Sequence, residues 1–175
     1  MTLTFDFRGP FLQFFRQLVS LGMVVATAFI IWSVLKVVTG SPSPVVVVLS
    51  GSMEPAFYRG DLLFLTLPDA PFEVGEIVVY NLAGRDIPIV HRILEVKEKA
   101  DGETQLLTKG DNNPGNDRGL YNPGQLWFSR NDIQGRVKGN LPYVGYLTIL
   151  MNDFPWVKYA LLGTIGLIVI LSRDG

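Results

Sequence analysis

Apolar and polar positions divide the chain into three parts. A run of nineteen uncharged residues, QLVSLGMVVATAFIIWSVL, lies between Arg16 and Lys36. From about residue 45 to residue 146, short runs rich in β-branched and bulky side chains alternate with polar turns, and thirteen uncharged residues follow at 159–171. This order predicts a mainly β domain with one N-terminal transmembrane helix and a short C-terminal apolar helix.

The N-terminal apolar run is just long enough to cross a bilayer. A helix rises about 1.5 Å per residue, and the hydrocarbon core is about 30 Å thick. A cleavable signal peptide has a shorter apolar region that ends at small residues, whereas this run carries Trp32 near its end and continues to Lys36. A buried core helix would have a polar face, which the run lacks. We therefore predict an uncleaved transmembrane anchor at 17–38.

Charge on either side of this anchor predicts its orientation. Arg8 and Arg16 precede its uncharged run and Lys36 follows that run, and positive charge favours the cytosolic side of a membrane. The pattern therefore predicts a cytosolic N-terminal segment at 1–16 and a translocated remainder.

The translocated part begins with a β domain that we place at 39–150. Turn residues separate its apolar runs, most extensively in the stretch KGDNNPGNDRGLYNPGQ. The composition of the runs is typical of strands. The predicted strands are 45–49, 62–67, 76–80, 89–96 and 104–108.

The remaining segment, 151–175, predicts a hydrophobic helix that associates with the membrane or with a partner. Its thirteen uncharged residues at 159–171 are fewer than a membrane span normally needs. Three placements stay open on this pattern: a helix lying in the membrane surface or against a partner, a short second span, and a core helix.

Composition restricts the chemistry of the 175-residue chain. Its hydrophobic share of 48% is high and its charged share of 18% is low for a soluble protein. Fifteen basic and sixteen acidic residues nearly cancel, so nothing in the charge indicates a nucleic-acid partner. The chain has no cysteine, which excludes thiol catalysis, disulfides and thiolate metal sites.

The stretch VVVVLSGSMEPAFYRGD at 45–61 contains the first candidate for catalysis. A strand that ends in Ser50, a glycine and Ser52 either turns a corner or presents a nucleophile. A serine nucleophile needs a base that is largely neutral near pH 7, and histidine suits that task. The chain contains one histidine, His91, in the apolar pattern IVHRI, where a lone histidine is more often structural.

A histidine base in turn needs a carboxylate that holds its ring. The loop after the strand predicted at 104–108 offers Asp111 and Asp117, although aspartate is also common in loops because of its turn chemistry. The segment DNNPGND places oxygen atoms at alternate positions, as a cation site would, but it lacks the glycine and the distal glutamate of a calcium loop. We therefore predict neither a metal nor a cofactor.

Four stretches carry a resemblance to a known family: SGSMEP, IVHRI, KGDNNPGNDRGLY and, before the apolar tail, VGYLTILMND. In these stretches the chain resembles the catalytic subunit of the endoplasmic-reticulum signal peptidase, the eukaryotic branch of signal peptidase I. The resemblance extends over nearly the whole chain. It implies a signal peptidase-like β domain and a membrane-bound serine endopeptidase that removes N-terminal signal peptides from secretory and membrane pre-proteins. It also implies accessory subunits of a complex, contact with the lipid bilayer, and a single-pass location in the endoplasmic reticulum membrane with a luminal catalytic domain.

The resemblance assigns a role to five residues. It implies that Ser52 is the nucleophile, that His91 is the general base and that Asp117 is the acid of a Ser-His-Asp triad. Ser50 corresponds to a serine that supports the oxyanion together with the backbone amide of Ser52, and Asp111 corresponds to a second, supporting aspartate. The valines before these serines are then the edge along which an extended substrate pairs.

Two other functions are compatible with the same pattern. An archaeal-type plasma-membrane signal peptidase would share the chemistry, but the long acidic loop and the C-terminal tail favour the eukaryotic type. A non-catalytic membrane-anchored adaptor of the same fold would be favoured if Ser52 or His91 were replaced, and both are present. A soluble serine hydrolase is disfavoured because the chain carries an anchor and no G-x-S-x-G motif.

Overall fold

The computed structural model describes residues 8–82, 84, 87–99 and 102–171, and the chain divides into two compact units after Thr39. Positions 1–7 of the predicted cytosolic segment and 172–175 of the predicted C-terminal segment lie outside the described residues. The elements of the second unit are β1 (Val45–Val47), β2 (Leu62–Thr66), β3 (Ile77–Tyr80), β4 (Ile89–Glu98), β5 (Thr104–Lys109), β6 (Phe128–Ser129), β7 (Ile133–Leu141), two 3-10 turns (Asp117–Gly119 and Arg130–Asp132), α2 (Tyr146–Asp153) and α3 (Pro155–Leu171).

The first unit contains helix α1, which spans Arg8–Thr39 and includes the predicted anchor. Its portion Phe11–Thr39 has 29 residues and a mean hydropathy of 2.3, and none of its most apolar stretch is buried. Within the part of the chain that the structure describes, this is the one helix long and apolar enough to cross a membrane.

The second unit is built on a seven-stranded antiparallel sheet in the order β1-β2-β7-β3-β4-β5-β6. This sheet and the helices at either end of the chain confirm the prediction of a mainly β fold. All five predicted strands are present as β1 to β5, with β1 two residues shorter than predicted and β4 two residues longer.

The predictions missed β6 and β7, although β7 lies inside the sheet between β2 and β3. Its sequence, IQGRVKGNL, contains two glycines and several polar residues, which are poor strand formers. Packing explains one of these glycines, because a Cβ added at Gly135 would lie 2.8 Å from Cβ of Leu65 in β2. A close contact between neighbouring strands therefore overrides the local preference of the sequence.

Two groups of buried side chains form the core of this unit, and each such side chain contributes about 1.5–3 kcal/mol. The larger group comprises Phe72, Val78, Tyr80, Leu82, Ile93, Leu106, Leu107, Tyr121, Phe128 and Ile133. The smaller group comprises Val48, Leu63, Leu65 and Val79. The ring of Tyr80 stacks on Phe128 at 4.4 Å between centroids, so its hydroxyl is held by core packing.

The C-terminal part forms two helices, α2 and α3. Ile149 of α2 is buried, whereas the described side chains of α3, including Trp156 and Tyr159, are mostly exposed. The apolar C-terminal helix is thus confirmed, and its exposure is not that of a core helix of this chain. Its association with the membrane surface or a partner, or its crossing as a short span, stays a prediction.

Candidate active site

Ser50 and Ser52 lie on a loop that leaves β1 and returns to β2. Backbone hydrogen bonds close the base of this loop, from Val48 N to Asp61 O at 2.9 Å and from Gly60 N to Val48 O at 2.8 Å. The side chain of Met53 is fully buried and fixes the loop from the inside. Ser52 is thereby presented next to Ser50, and their hydroxyl oxygens are 3.2 Å apart.

His91 lies in β4 opposite Val78 of β3, and its side chain is almost completely buried. Its Nε2 atom is 3.1 Å from the hydroxyl oxygen of Ser52. Its Nδ1 atom is 2.6 Å from Oδ2 of Asp117. The imidazole therefore contacts a hydroxyl with one nitrogen and a carboxylate with the other, which is the arrangement required for nucleophile activation.

Asp117 is the first residue of the 3-10 turn at Asp117–Gly119 and is buried. Besides facing His91, its Oδ2 atom accepts hydrogen bonds from Thr108 Oγ1 at 2.6 Å and from the Tyr80 hydroxyl at 3.0 Å. A buried carboxylate is costly unless several donors satisfy it. Strands β3 and β5 supply these donors from the core.

The surroundings of Asp117 hold its carboxyl group in the ionised form. Burial is the largest influence and acts to raise its pKa, but the hydrogen bonds from His91 and Thr108, the charge of His91 and the hydrogen bond from Tyr80 together outweigh it. The pKa of Asp117 therefore lies below its ordinary value. An ionised Asp117 can stabilise the positive charge that His91 acquires when it accepts a proton.

A second loop, which runs from Gly110 to Asn113, holds the serine loop in place. Asn112 donates twice to it, from its backbone N to Ser52 O at 2.9 Å and from its side-chain Nδ2 to Gly51 O at 3.1 Å. These two bonds fix the peptide groups on both sides of Ser52, the one that joins it to Gly51 and the one that joins it to Met53. They therefore also fix the direction of the backbone N–H of Ser52.

Asp111 lies outside the Ser52, His91 and Asp117 group and forms a bidentate pair with Arg92. Arg92 Nε donates to Asp111 Oδ1 at 2.9 Å, and Arg92 Nη2 donates to Oδ2 at 2.6 Å. These hydrogen bonds lower the pKa of Asp111 against the opposing effect of partial burial. Because Arg92 directly follows His91 in β4, its side chain projects from the opposite face. The pair between Asp111 and Arg92 therefore connects the second loop to β4, the strand that carries His91.

A groove of about 700 Å³ opens beside the serine and the histidine. Its lining is mostly apolar and is formed by residues 46–49 on one side and 87–90 on the other, with Met53, Asn113 and Leu120. In the sheet as the structure describes it, β1 pairs with β2 and stands at the edge. One side of the groove is therefore a strand edge to which an extended peptide could be added.

Sequence reasoning missed four residues that support Ser52, His91 and Asp117: Tyr80, Thr108 and Asn112 by direct hydrogen bonds to Asp117 or the serine loop, and Tyr121 through Thr108. Tyrosine and threonine are common in strands, and asparagine is common in loops, so their types alone do not separate these residues from structural ones. The one available signal is their position, because Tyr80 and Thr108 each end a predicted strand.

Comparisons with known proteins extend over nearly the whole chain. A family model described as "Signal peptidase C-terminal short helix" matches residues 146–171, which include α2 and α3. The chain is 56% identical over 163 residues to the human "Signal peptidase complex catalytic subunit SEC11C", covering 93% of this chain and 85% of the relative. It is 54% identical over 162 residues to "Signal peptidase complex catalytic subunit sec11" of Dictyostelium discoideum, covering 93% and 90%. The protein of the same name in Neurospora crassa is 55% identical over 160 residues, covering 90% and 92%.

Proposed function

The chain belongs to the family of signal peptidase complex catalytic subunits, and on that premise we propose that it is a serine endopeptidase of the endoplasmic reticulum membrane. It removes N-terminal signal peptides from secretory and membrane pre-proteins as the catalytic member of a complex with accessory subunits. The observation that carries the catalytic assignment is the unbroken series of contacts from Ser52 through His91 to Asp117, which opens into an apolar groove.

In this proposal Ser52 attacks the carbonyl carbon of the scissile peptide bond. His91 Nε2 takes the hydroxyl proton, and Asp117 stabilises the imidazolium that results. The oxyanion accepts hydrogen bonds from the backbone N–H of Ser52 and from the hydroxyl of Ser50, which lies 3.2 Å from Ser52 Oγ. His91 then protonates the amine of the departing mature chain, and a water molecule activated by His91 hydrolyses the acyl-enzyme.

The groove accounts for the substrate class. The end of a signal peptide adds to the edge of β1 as an extended strand, with alternate side chains directed into the groove. In this proposal the part of the groove beside Ser52 accepts small side chains at the first and third positions before the cleaved bond. Recognition therefore depends on an extended backbone and on small residues more than on a particular sequence.

Helix α1 is the membrane anchor in this proposal. Arg16 on its N-terminal side and Lys36 near its end give the charge bias that favours a cytosolic N-terminus and a luminal β domain. The uncharged surface of α3 contacts the membrane or a partner subunit. The proposal keeps the predicted division of the chain into an anchor at 17–38, a luminal catalytic domain at 39–150 and a C-terminal segment that associates with the membrane or a partner.

Cleavage by the purified complex tests the function. We expect a single cut in a pre-protein after a small residue, and a tryptophan at the first position before the cut should lower kcat/KM by about 100-fold or more because the proposed subsite accepts only a small side chain. The control places tryptophan at the second position, whose side chain points away from the groove in an extended strand. Equal losses at both positions would contradict this binding mode.

Gly110 offers a test of how tightly the two loops must approach. A Cβ at this position would lie 2.7 Å from Ser52 O, 2.8 Å from His91 Nε2 and 2.8 Å from Asn113 Nδ2. Because Ser52 O is a backbone atom, Gly110→Ala requires the second loop and the serine loop to move apart, which changes the approach of Ser52 to His91. We expect kcat for pre-protein cleavage to fall by about 100-fold.

Gly115→Ala is the matched control, since a Cβ at Gly115 has no atom within 4 Å among the described residues. This variant should retain wild-type cleavage and wild-type assembly into the complex. Wild-type turnover by Gly110→Ala would show that the contact between the loops has no part in catalysis.

A further inference from the structure

Three buried hydroxyl groups form a hydrogen-bonded cluster with the carboxylate of Asp117. They belong to Tyr80 of β3, Thr108 of β5 and Tyr121, and none of these residues is more than 7% exposed. Thr108 Oγ1 lies 2.6 Å from Asp117 Oδ2, 3.2 Å from the Tyr121 hydroxyl and 3.0 Å from the Tyr80 hydroxyl. The mechanism above uses none of these three groups directly.

Two groups in this cluster have a fixed role: the backbone N–H of Thr108 can only donate, and the ionised carboxylate of Asp117 can only accept. The backbone N–H of Thr108 points to the Tyr121 hydroxyl oxygen at 3.2 Å and can only donate. Tyr121 must then direct its own proton elsewhere, and the Thr108 hydroxyl oxygen is in reach at 3.2 Å. The single proton of the Thr108 hydroxyl could go to Asp117 Oδ2 at 2.6 Å or to the Tyr80 hydroxyl at 3.0 Å, and we assign it to the nearer, ionised acceptor. Asp117 Oδ2 also accepts from the Tyr80 hydroxyl at 3.0 Å. The hydrogen bonds thus run one way, from the backbone to the carboxylate.

The two tyrosines are fixed as proton donors. Burial, the largest influence, raises the pKa of Tyr80 and of Tyr121, and the nearby charge of Asp117 acts in the same direction. Both phenols therefore stay neutral throughout the range in which the protein works, and their protons remain available to the cluster.

We propose that Thr108 and Tyr121 are positioning residues, which form a one-way hydrogen-bond relay that fixes the tautomer of His91. Donors on Asp117 Oδ2 make this oxygen an acceptor only, so the proton between it and His91 resides on Nδ1. Nε2 then presents a lone pair to the hydroxyl of Ser52 at 3.1 Å. The inference rests on the proposed function and adds to it the groups that prepare the base.

Three variants separate the hydroxyl of Thr108 from the shape of its side chain. Thr108→Val removes the hydroxyl and keeps the β-branched shape, Thr108→Ser keeps the hydroxyl, and Tyr121→Phe interrupts the relay one step earlier. In the assembled complex, we expect Thr108→Val to lower kcat by about 10- to 100-fold, the effect of one hydrogen bond to a charged group. KM should stay within about twofold, because the relay lies behind the groove and not in it, and Thr108→Ser should recover most of the loss.

The tautomer itself can be observed, because the chain has a single histidine. The full-length chain, labelled with nitrogen-15 at histidine and purified through a tag free of histidine, would give one pair of ring-nitrogen signals in lipid nanodiscs. At a pH at which the ring is neutral, we expect a protonated Nδ1 and an unprotonated Nε2 in the wild type. Thr108→Val and Tyr121→Phe should shift these signals toward a mixture of the two tautomers.

Thr66→Val is the control for both measurements, since Thr66 Oγ1 is buried without a hydrogen-bond partner in the part of the chain that the structure describes. It should change neither kcat nor the histidine signals. Wild-type kcat in Thr108→Val, or a loss of kcat with unchanged histidine signals, would overturn the relay. If Thr108→Val does not assemble, Tyr121→Phe decides by the same criteria.

The nitrogen signals are recorded without substrate, so this experiment stands apart from the test of function. Absence of pre-protein cleavage by the wild type would refute the proposed function and leave the tautomer result intact. Normal cleavage by the wild type together with an insensitive tautomer would refute the relay alone.

Discussion

Ser52→Ala is expected to lower pre-protein cleavage by about 10⁶-fold, the scale of a lost nucleophile in an enzyme with this chemistry. The hydroxyl of Ser52 faces His91 Nε2 at 3.1 Å, and its removal leaves the base without a proton to accept. The methyl group of alanine fits where the serine stands, so the fold and the assembly of the complex should persist. Cleavage of a radiolabelled pre-protein and co-purification of the accessory subunits would measure the two properties separately.

Ser50→Ala is the matched control, because it removes a hydroxyl only 3.2 Å away. Because Ser50 is proposed to donate to the oxyanion, Ser50→Ala should lower kcat by about 10²–10³-fold. This loss is much smaller than the loss expected for Ser52→Ala. An equal or larger loss in Ser50→Ala would reverse the roles of the two serines. Undiminished cleavage by a complex carrying Ser52→Ala would favour the adaptor function over the catalytic one.

Asp117→Asn is expected to lower kcat by about 10⁴-fold while the protein stays folded. The amide of asparagine can donate to His91 Nδ1, which would place the imidazole proton on Nε2 and point it at Ser52. The same substitution removes an ionised group that stabilises the native state. Cleavage kinetics and thermal unfolding of the full-length chain would measure both effects.

The effect of Asp117 on stability has a defined pH dependence. Its folded-state pKa is below the ordinary value of 3.8, so its stabilising contribution is fully present above that value and is lost as the pH falls through the lower, folded-state pKa. In the wild-type protein, this loss of stability occurs only in strongly acidic solution. At neutral pH the full contribution should be missing from Asp117→Asn.

Asp111→Asn provides the comparison for this acid. Asp111 acts through Arg92 and the second loop, so its loss should affect unfolding and assembly more than kcat. A fall in kcat as large as that of Asp117→Asn, without a change in stability, would show that Asp111 takes part in the chemistry.

The strands that the sequence predicted are those whose local composition agrees with their place in the sheet. β2 to β5 carry consecutive bulky and β-branched residues, and this composition is enough to identify them. β7 has no such signal because its pairing with β2 and β3 is decided by residues far away in the chain. Gly135 illustrates this, because a Cβ there would meet Leu65 and Ser41, which both lie far earlier in the chain.

The residues of the candidate site also fall into those that the sequence could predict and those that it could not. Ser52, His91 and Asp117 could be selected from the sequence because nucleophile, base and acid must be particular residue types. Their spatial convergence could not be derived from those types, since a lone histidine in an apolar strand also fits a structural role. Thr108 and Tyr121 escaped prediction because a hydroxyl that supports a carboxylate looks, in sequence, like any other strand or loop residue.

The position of β7 between β2 and β3 has a consequence for the folding of the chain during its synthesis. The strand pair next to the serine, β1 and β2, joins the sheet that carries the histidine only through β7. A nascent chain that ends before residue 133 therefore already contains Ser52, His91 and Asp117 but lacks the strand that unites their supports. The sheet is completed only when residues 133–141 have been synthesised. The sheet that supports Ser52, His91 and Asp117 is therefore completed only after the anchor helix has been synthesised.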